Sequence, residues 1–274
     1  MKVTFYGTRG SVPVCSPNRC SQFGGNTSCI LVTFGNGRIA ILDAGTGIRQ
    51  LGNDLLESSV EQYDNIFIGF SHTHWDHIQG FPFFQPAYDP RRQFTLAIHG
   101  KDRKEKRLEN VFKDQMRIEL FPVPLEEMGA TLHFWEPEQP AIRTRGVHVS
   151  AQRHNHPGVA YGYRITEEGK TLVYCTDVEH GDDIDPAVVE LARDADLLIH
   201  DGQYTPDELG EKKGWGHSSW AQAVEVAERA GVKRLAIFHH DPEHSDEMLL
   251  EIEKQSRERF PASFLAREGH VVDL

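Results

Sequence analysis

The chain reads as an α/β or α+β sandwich of two sheet-and-helix layers packed face to face. Two observations predict it. Strand-like runs give way to helix-period segments in each half, and no repeat or low-complexity tract interrupts them. The 274 residues, 39% of them hydrophobic, also supply apolar content for a sizeable core, so one domain over 1–274 is expected.

Met1-Lys2-Val3-Thr4-Phe5-Tyr6 alternates like a first strand, which Gly7-Thr8-Arg9-Gly10-Ser11 ends. A turn-rich loop then runs to Gly24-Gly25-Asn26-Thr27. Strands near 28–34 and 38–42 form a hairpin around Gly35-Asn36-Gly37, a strong turn signal. Asp43-Ala44-Gly45-Thr46-Gly47 leaves the second of these and opens a helix near 48–57. Ile66-Phe67-Ile68-Gly69-Phe70 has the length and the β-branched and aromatic content of a buried strand. Residues 101–118 alternate charged and apolar positions like a surface helix. A strand-rich second half covers about 131–175, including one strand near 141–153. Helices follow near 186–194, 218–230 and 245–258, with Ser218 as an N-cap and Leu235-Ala236-Ile237-Phe238 as a strand between the last two.

The net charge of −12 argues against a general nucleic-acid coat protein, whose phosphate contacts need a basic surface. The five basic positions in Lys101-Asp102-Arg103-Lys104-Glu105-Lys106-Arg107 read as a solvated helix face. No segment approaches the roughly 18 consecutive apolar residues of a membrane span, and the N-terminus lacks the apolar core of a secretory signal. A cytoplasmic protein is expected. Cys29 and Cys175 sit in strand-like runs as buried thiols. Cys15 and Cys20 flank a Pro, Ser and Asn-rich loop and read as two free thiols, with an accessory metal as the alternative.

The densest chemistry follows the strand ending at Phe70. Ser71-His72-Thr73-His74-Trp75-Asp76-His77 sets three imidazoles and a carboxylate within six residues, on a loop that can turn them toward one point. Neutral imidazole and carboxylate suit zinc, manganese or iron. More donors stand at later strand ends: His154-Asn155-His156, Thr176-Asp177, His200-Asp201 and His239-His240-Asp241. Together they fit ligands gathered along one rim of a sheet. Trp75 is read as a packing residue, and His99, His133, His148, His180, His244 and His270 as structural or exposed. Arg9 offers either a phosphate contact or a salt bridge.

His72-x-His74-x-Asp76-His77 resembles the signature loop of the metallo-β-lactamase fold superfamily, and His156, Asp177 and His239 fall in the order of its later ligands. The resemblance covers nearly the whole chain. It is nearest the phosphodiesterase branch, which includes RNase Z and the cyclic-phosphate phosphodiesterases, through Gly162-Tyr163-Arg164-Ile165 and Tyr174-Cys175-Thr176-Asp177. It implies a four-layer αββα sandwich with two divalent metal ions, Zn2+ or Mn2+. His72, His74 and His156 would hold the first; Asp76, His77 and His239 the second; and Asp177 both. His239 is taken over His240 because it comes first after the strand, and His156 over His154. Asp43 would orient a ligand imidazole.

The resemblance implies hydrolysis of a phosphodiester by metal-activated water, which Asp76 would orient. His217, in Gly214-Trp215-Gly216-His217-Ser218-Ser219, would donate a proton to the leaving oxygen, with Asp201 orienting it where RNase Z usually has a glutamate. His200, whose side chain alternates away from that of Asp201, reads equally well as structural. RNase Z carries a long flexible arm for tRNA, in many members between the ligands matching His156 and Asp177. Only twenty residues separate them here. The expected partner is therefore a small cyclic or simple phosphodiester, with RNA processing as the alternative, thioester hydrolysis a third, and a non-catalytic metal-binding protein a reading of another class. A homodimer is compatible with the resemblance.

Overall fold

A computed structural model describes residues 1–16, 18–57, 65–100, 107–144 and 146–274. The first half supplies β1 (Lys2–Gly7), β2 (Cys29–Thr33), β3 (Ile39–Leu42), β4 (Asn65–Phe70), β5 (Gln93–Ile98) and β6 (Thr131–Trp135). The second supplies β7 (Ala141–Thr144), β8 (Val147–His154), β9 (Ala160–Glu167), β10 (Lys170–Cys175), β11 (Leu197–Asp201), β12 (Leu235–Phe238), β13 (Ser263–Leu265) and β14 (Val271–Asp273). The helices are α1 (Ile48–Glu57), α2 (Trp75–Ile78), α3 (Leu108–Gln115), α4 (Pro186–Ala192), α5 (Pro206–Leu209), α6 (Trp220–Ala230) and α7 (Asp246–Arg259).

Two seven-stranded sheets result, ordered β14-β1-β2-β3-β4-β5-β6 and β13-β12-β11-β10-β9-β8-β7. Val3, Phe5, Ile30 and Val32 of the first meet Tyr161, Leu172, Tyr174 and Phe238 of the second in a shared core. The outer face of the first sheet packs on α1 and α3 through Ile48, Leu51, Leu108 and Phe112. That of the second packs on α4, α6 and α7 through Val188, Val224, Ala227 and Leu249. The layers therefore run αββα. Among the described residues no helix is long and apolar enough to cross a membrane.

The strand direction decides where chemistry can gather. β3, β4 and β5 run parallel, as do β10, β11 and β12 in the other sheet. Parallel neighbours deliver their C-terminal ends to the same rim, where open α/β sheets bind ligands. Asp43, His72, Asp177, Asp201 and His239 all lie at or just past such ends.

Several expectations need correction. β6 pairs with β5 and so belongs to the first sheet, not to the second half. The strand expected near 141–153 is the hairpin β7–β8, which turns through Gly146 at φ 89°. Ser219, not Ser218, caps α6: its side chain accepts from the Gln222 amide and Gln222 reaches back, a capping box. Of the helix expected over 101–118, α3 covers 108–115; the basic positions Lys101, Arg103, Lys104 and Lys106 lie outside the described residues. β14 returns to pair with β1, a long-range pairing that no local pattern predicts.

Candidate metal centre

The motif loop leaves β4 and enters α2 at Trp75, so His72 and His74 stay on the loop while Asp76 and His77 start the helix. Two sets of donors result. His72, His74, His156 and Asp177 offer ligand atoms within 4.8 Å of one another, and so do Asp76, His77, Asp177 and His239. Asp177 belongs to both. Its Oδ2 stands 3.6 Å from His72 Nε2 and 3.8 Å from His156 Nε2. Its Oδ1 stands 3.2 Å from His77 Nε2 and 3.3 Å from His239 Nε2. One carboxylate thus faces both sets, one oxygen to each.

The rings are turned from behind. His77 Nδ1 donates to Asp43 Oδ2 at 2.8 Å, His156 Nδ1 to the Gly216 carbonyl at 2.8 Å, and His239 Nδ1 to Gln203 Oε1 at 2.9 Å. Ser71 Oγ donates to Asp43 and so accepts from His72 Nδ1 at 3.1 Å. In the neutral form of all four rings, Nε2 is left with a lone pair directed inward. The Nε2 of His72 is buried with no hydrogen-bond partner among the described residues, and that of His77 faces only the carboxylates of Asp76 and Asp177. His156 Nε2 also lies 2.9 Å from His74 Nδ1. Inward lone pairs and two carboxylates are what a pair of cations needs, and the donor set fits a dinuclear metal site.

Electrostatics agree. Burial pushes His72, His74 and His156 down, toward the neutral ligand form. Burial would also lower His77, but Asp177, Asp76 and Asp43 outweigh it and hold the imidazole well above its ordinary range. Burial would raise the carboxyls of Asp76 and Asp177; the imidazoles around them win and keep both ionised. A proton on His77 does in the metal-free chain what a cation would do in the loaded one.

Beside this stands a third set, Asp177, Asp201, His217 and His239. His217 Nδ1 is 2.8 Å from Asp201 Oδ2, and its ring stacks on His239 at 5.0 Å between centroids. Asp201 is itself fixed by the amides of Asp177, Gln203 and Ser218. Burial lowers the His217 pKa, yet Asp201 overrides it and raises the imidazole to about 9.

A family model described as a beta-lactamase superfamily domain matches residues 38–240, which hold every donor named above. The chain belongs to this superfamily. Among curated relatives of this superfamily member, the ribonuclease Z of Haloarcula marismortui is 27% identical over 87% of this chain and 86% of that protein. Among solved structures, the metallo-beta-lactamase fold protein YhfI from Bacillus subtilis superposes with a TM-score of 0.72 at 21% identity, covering 99% of this chain and 98% of that one. A diphosphatase of the PhnP family superposes with a TM-score of 0.70 at 20% identity, covering 100% and 97%.

The superfamily chain brings its seven expected donors, together with Asp43, Asp201 and His217, to one rim, and leaves other candidates outside. His240 is turned to the Ala266 carbonyl, and buried His154 joins neither set. His200 donates to the Asp201 carbonyl and stacks on His180. Arg9 is fully buried; it donates to the carbonyls of Gly24, Asp241 and His244 and meets no open site, so the phosphate contact falls away. Trp75 is 61% exposed and is not a packing residue. Cys15 and Cys20 are free thiols and belong to no donor set among the described residues.

Sequence reasoning missed Gln203, the Gly216 carbonyl, Tyr174, whose hydroxyl donates to Asp43 at 2.7 Å, and Ser11, whose amide donates to Asp76 Oδ2 at 2.8 Å. None carries a local signal except Gly216, which stands one residue before His217 in a Gly-rich loop.

Proposed function

We propose that the chain is a dinuclear metal-dependent phosphodiesterase acting on a small substrate, a cyclic nucleotide or another cyclic or simple phosphodiester. The observation that carries this reading is Asp177, whose two oxygens divide between two sets of inward nitrogens. His72, His74 and His156 would hold one ion and Asp76, His77 and His239 the other, zinc or manganese suiting both. Two ions held there would supply positive charge for the phosphodiester and would lower the pKa of water.

The remaining work falls to side chains. Asp76, ionised and pinned by the Ser11 amide, would orient the attacking water. His217 keeps its Nδ1 proton on Asp201, so Nε2 would carry the proton passed to the leaving oxygen. Its raised pKa keeps that proton in place at neutral pH.

A second reading, an RNA-processing endonuclease, is favoured by the relatives named ribonuclease Z. The small-substrate reading is supported by the connection between His156 and Asp177. It folds as the hairpin β9–β10, closed by Glu168 and Gly169 at φ 48° and 77°, a two-residue turn with nothing added. The test is hydrolysis of bis(p-nitrophenyl) phosphate by metal-stripped protein reloaded with zinc or manganese, beside His74→Ala. Activity should return with metal and vanish in the variant. No turnover with two ions bound would sink the proposal. Cyclic nucleotides set against tRNA precursors would then separate the two readings.

A further inference from the structure

A cavity of about 610 Å3 opens between the sheets on the side of β4–β6 and β7–β9, below the metal-bearing rim. Strand register explains it. One inner row across β3–β6 reads Leu42, Gly69, Ala97, Trp135, and the next reads Ala40, Phe67, Thr95, His133. Ala151 of β8 lines the same space from the other sheet. At the β1 side of the sandwich the equivalent volume is filled by Phe5, Tyr174 and Phe238. Interiors are close-packed, yet here Ala40, Gly69, Ala97 and Ala151 leave room the size of a ligand pocket. Left empty and closed, a void that large would cost about as much as a domain's whole stability.

The lining also says what would fill it. Apart from a few polar groups the walls are apolar. Arg38 is the one formally charged side chain among the described lining residues, and no carboxylate lines it, in a chain with 41 Asp and Glu. Arg38 precedes β3, and Asn65 opens β4 alongside it, so the one charged group stands at one end, while Thr95 and His133 lie along the slot and His99 at the far end. Tyr163, donating to the Phe70 carbonyl at 2.7 Å, stands at the other end, under the motif loop. Stacked sheets lie about 10 Å apart, so the space between them is a slot that accommodates an extended chain.

We infer that this cavity binds an amphiphile with one extended aliphatic chain and an anionic head, such as a medium- or long-chain carboxylate. Its chain lies between the sheets and its head meets Arg38.

The full chain is titrated with dodecanoate below its micelle concentration, by calorimetry and by the fluorescence of Trp135, with Trp135→Phe reporting the other three tryptophans. Saturable one-to-one binding is expected. Arg38→Gln, at an exposed position, should weaken dodecanoate at least fivefold and leave 1-dodecanol unchanged. Ala97→Phe, which fills the slot, should weaken both at least tenfold. Absence of saturable binding would overturn the inference, as would a folded Ala97→Phe that binds like the parent. Should that variant fail to fold, Arg38→Gln decides, and unchanged dodecanoate affinity overturns it.

Discussion

Behind His239, Gln203 Oε1 takes the Nδ1 proton and leaves Nε2 3.1 Å from Asp76 and 3.3 Å from Asp177. Acceptors of this kind fix ring orientation and raise ligand basicity, and their loss typically costs 10–100-fold in metal affinity. Gln203→Ala should therefore weaken binding at the Asp76, His77, His239 set by about that factor, measured by competition with a chelating indicator. An unchanged affinity would remove Gln203 from the site. His217 gives a second outcome. Its raised pKa predicts that kcat falls as pH rises through about 9, or lower once nearby dications push the imidazole down. Asp201→Asn removes the charge that lifts it, so the alkaline limb should move toward neutral pH. A limb that stays put would mean that His217 does not supply the proton. The seven donors were readable because His72-x-His74-x-Asp76-His77 is dense and the later donors follow strands. Gln203 was not, since a glutamine two residues past Asp201 has no meaning until β11 and β12 lie side by side.

The loop from Gly214 to His217 shows the same limit for an element. Glu179 accepts from the amides of Gly214 and Gly216 at 2.8 and 2.7 Å, and both glycines sit at positive φ, 88° and 89°. That bracket aims the Gly216 carbonyl at His156. A Cβ at Gly216 would lie 2.2 Å from His156 Nδ1, besides being strained at that φ. Gly216→Ala should displace His156 and lower the occupancy of the first metal set, read as fewer than two ions per chain by elemental analysis, with activity down at least tenfold. Retention of both ions and full activity would show that His156 does not depend on the bracket. The glycines were visible in the sequence; their anchor, 35 and 37 residues away, was not. Helix boundaries fared better, because α1 and α6 carry their own periodicity and stop signals. Even there the cap moved by one residue, since Ser218 turns its hydroxyl to the Val178 carbonyl and leaves Ser219 to cap. Ser219→Ala should cost about 1 kcal/mol of stability, measured by urea unfolding.

For the whole molecule, the same burial that makes imidazoles good ligands sets the response to pH. Burial holds His154, His180 and His200 near 4 and His240 near 3, against 6.5 when free. Between about pH 6.5 and 4 the unfolded chain binds protons at these four positions and the folded chain does not, so stability falls as pH falls. Each contributes roughly 1.4 kcal/mol per pH unit. Four together lose on the order of 5 kcal/mol per unit, enough to unfold a domain of 5–15 kcal/mol within a few units. His217 and His77 act with the opposite sign. Their raised pKa values give stability that is full below 6.5 and is lost as pH rises, for His217 through about 9. The metal-free protein should thus be most stable near pH 6.5, with the steeper fall on the acid side. Urea midpoints measured in chelator from pH 4 to 9 would trace that dome. His154, buried and outside both donor sets, gives the control. His154→Leu removes one proton from the acid limb, to which the lowered His72, His74 and His156 also add, and should reduce its slope by roughly 1.4 kcal/mol per pH unit, whatever it does to stability at pH 7. An unchanged slope would mean that buried neutral imidazoles do not set the acid limit of this fold.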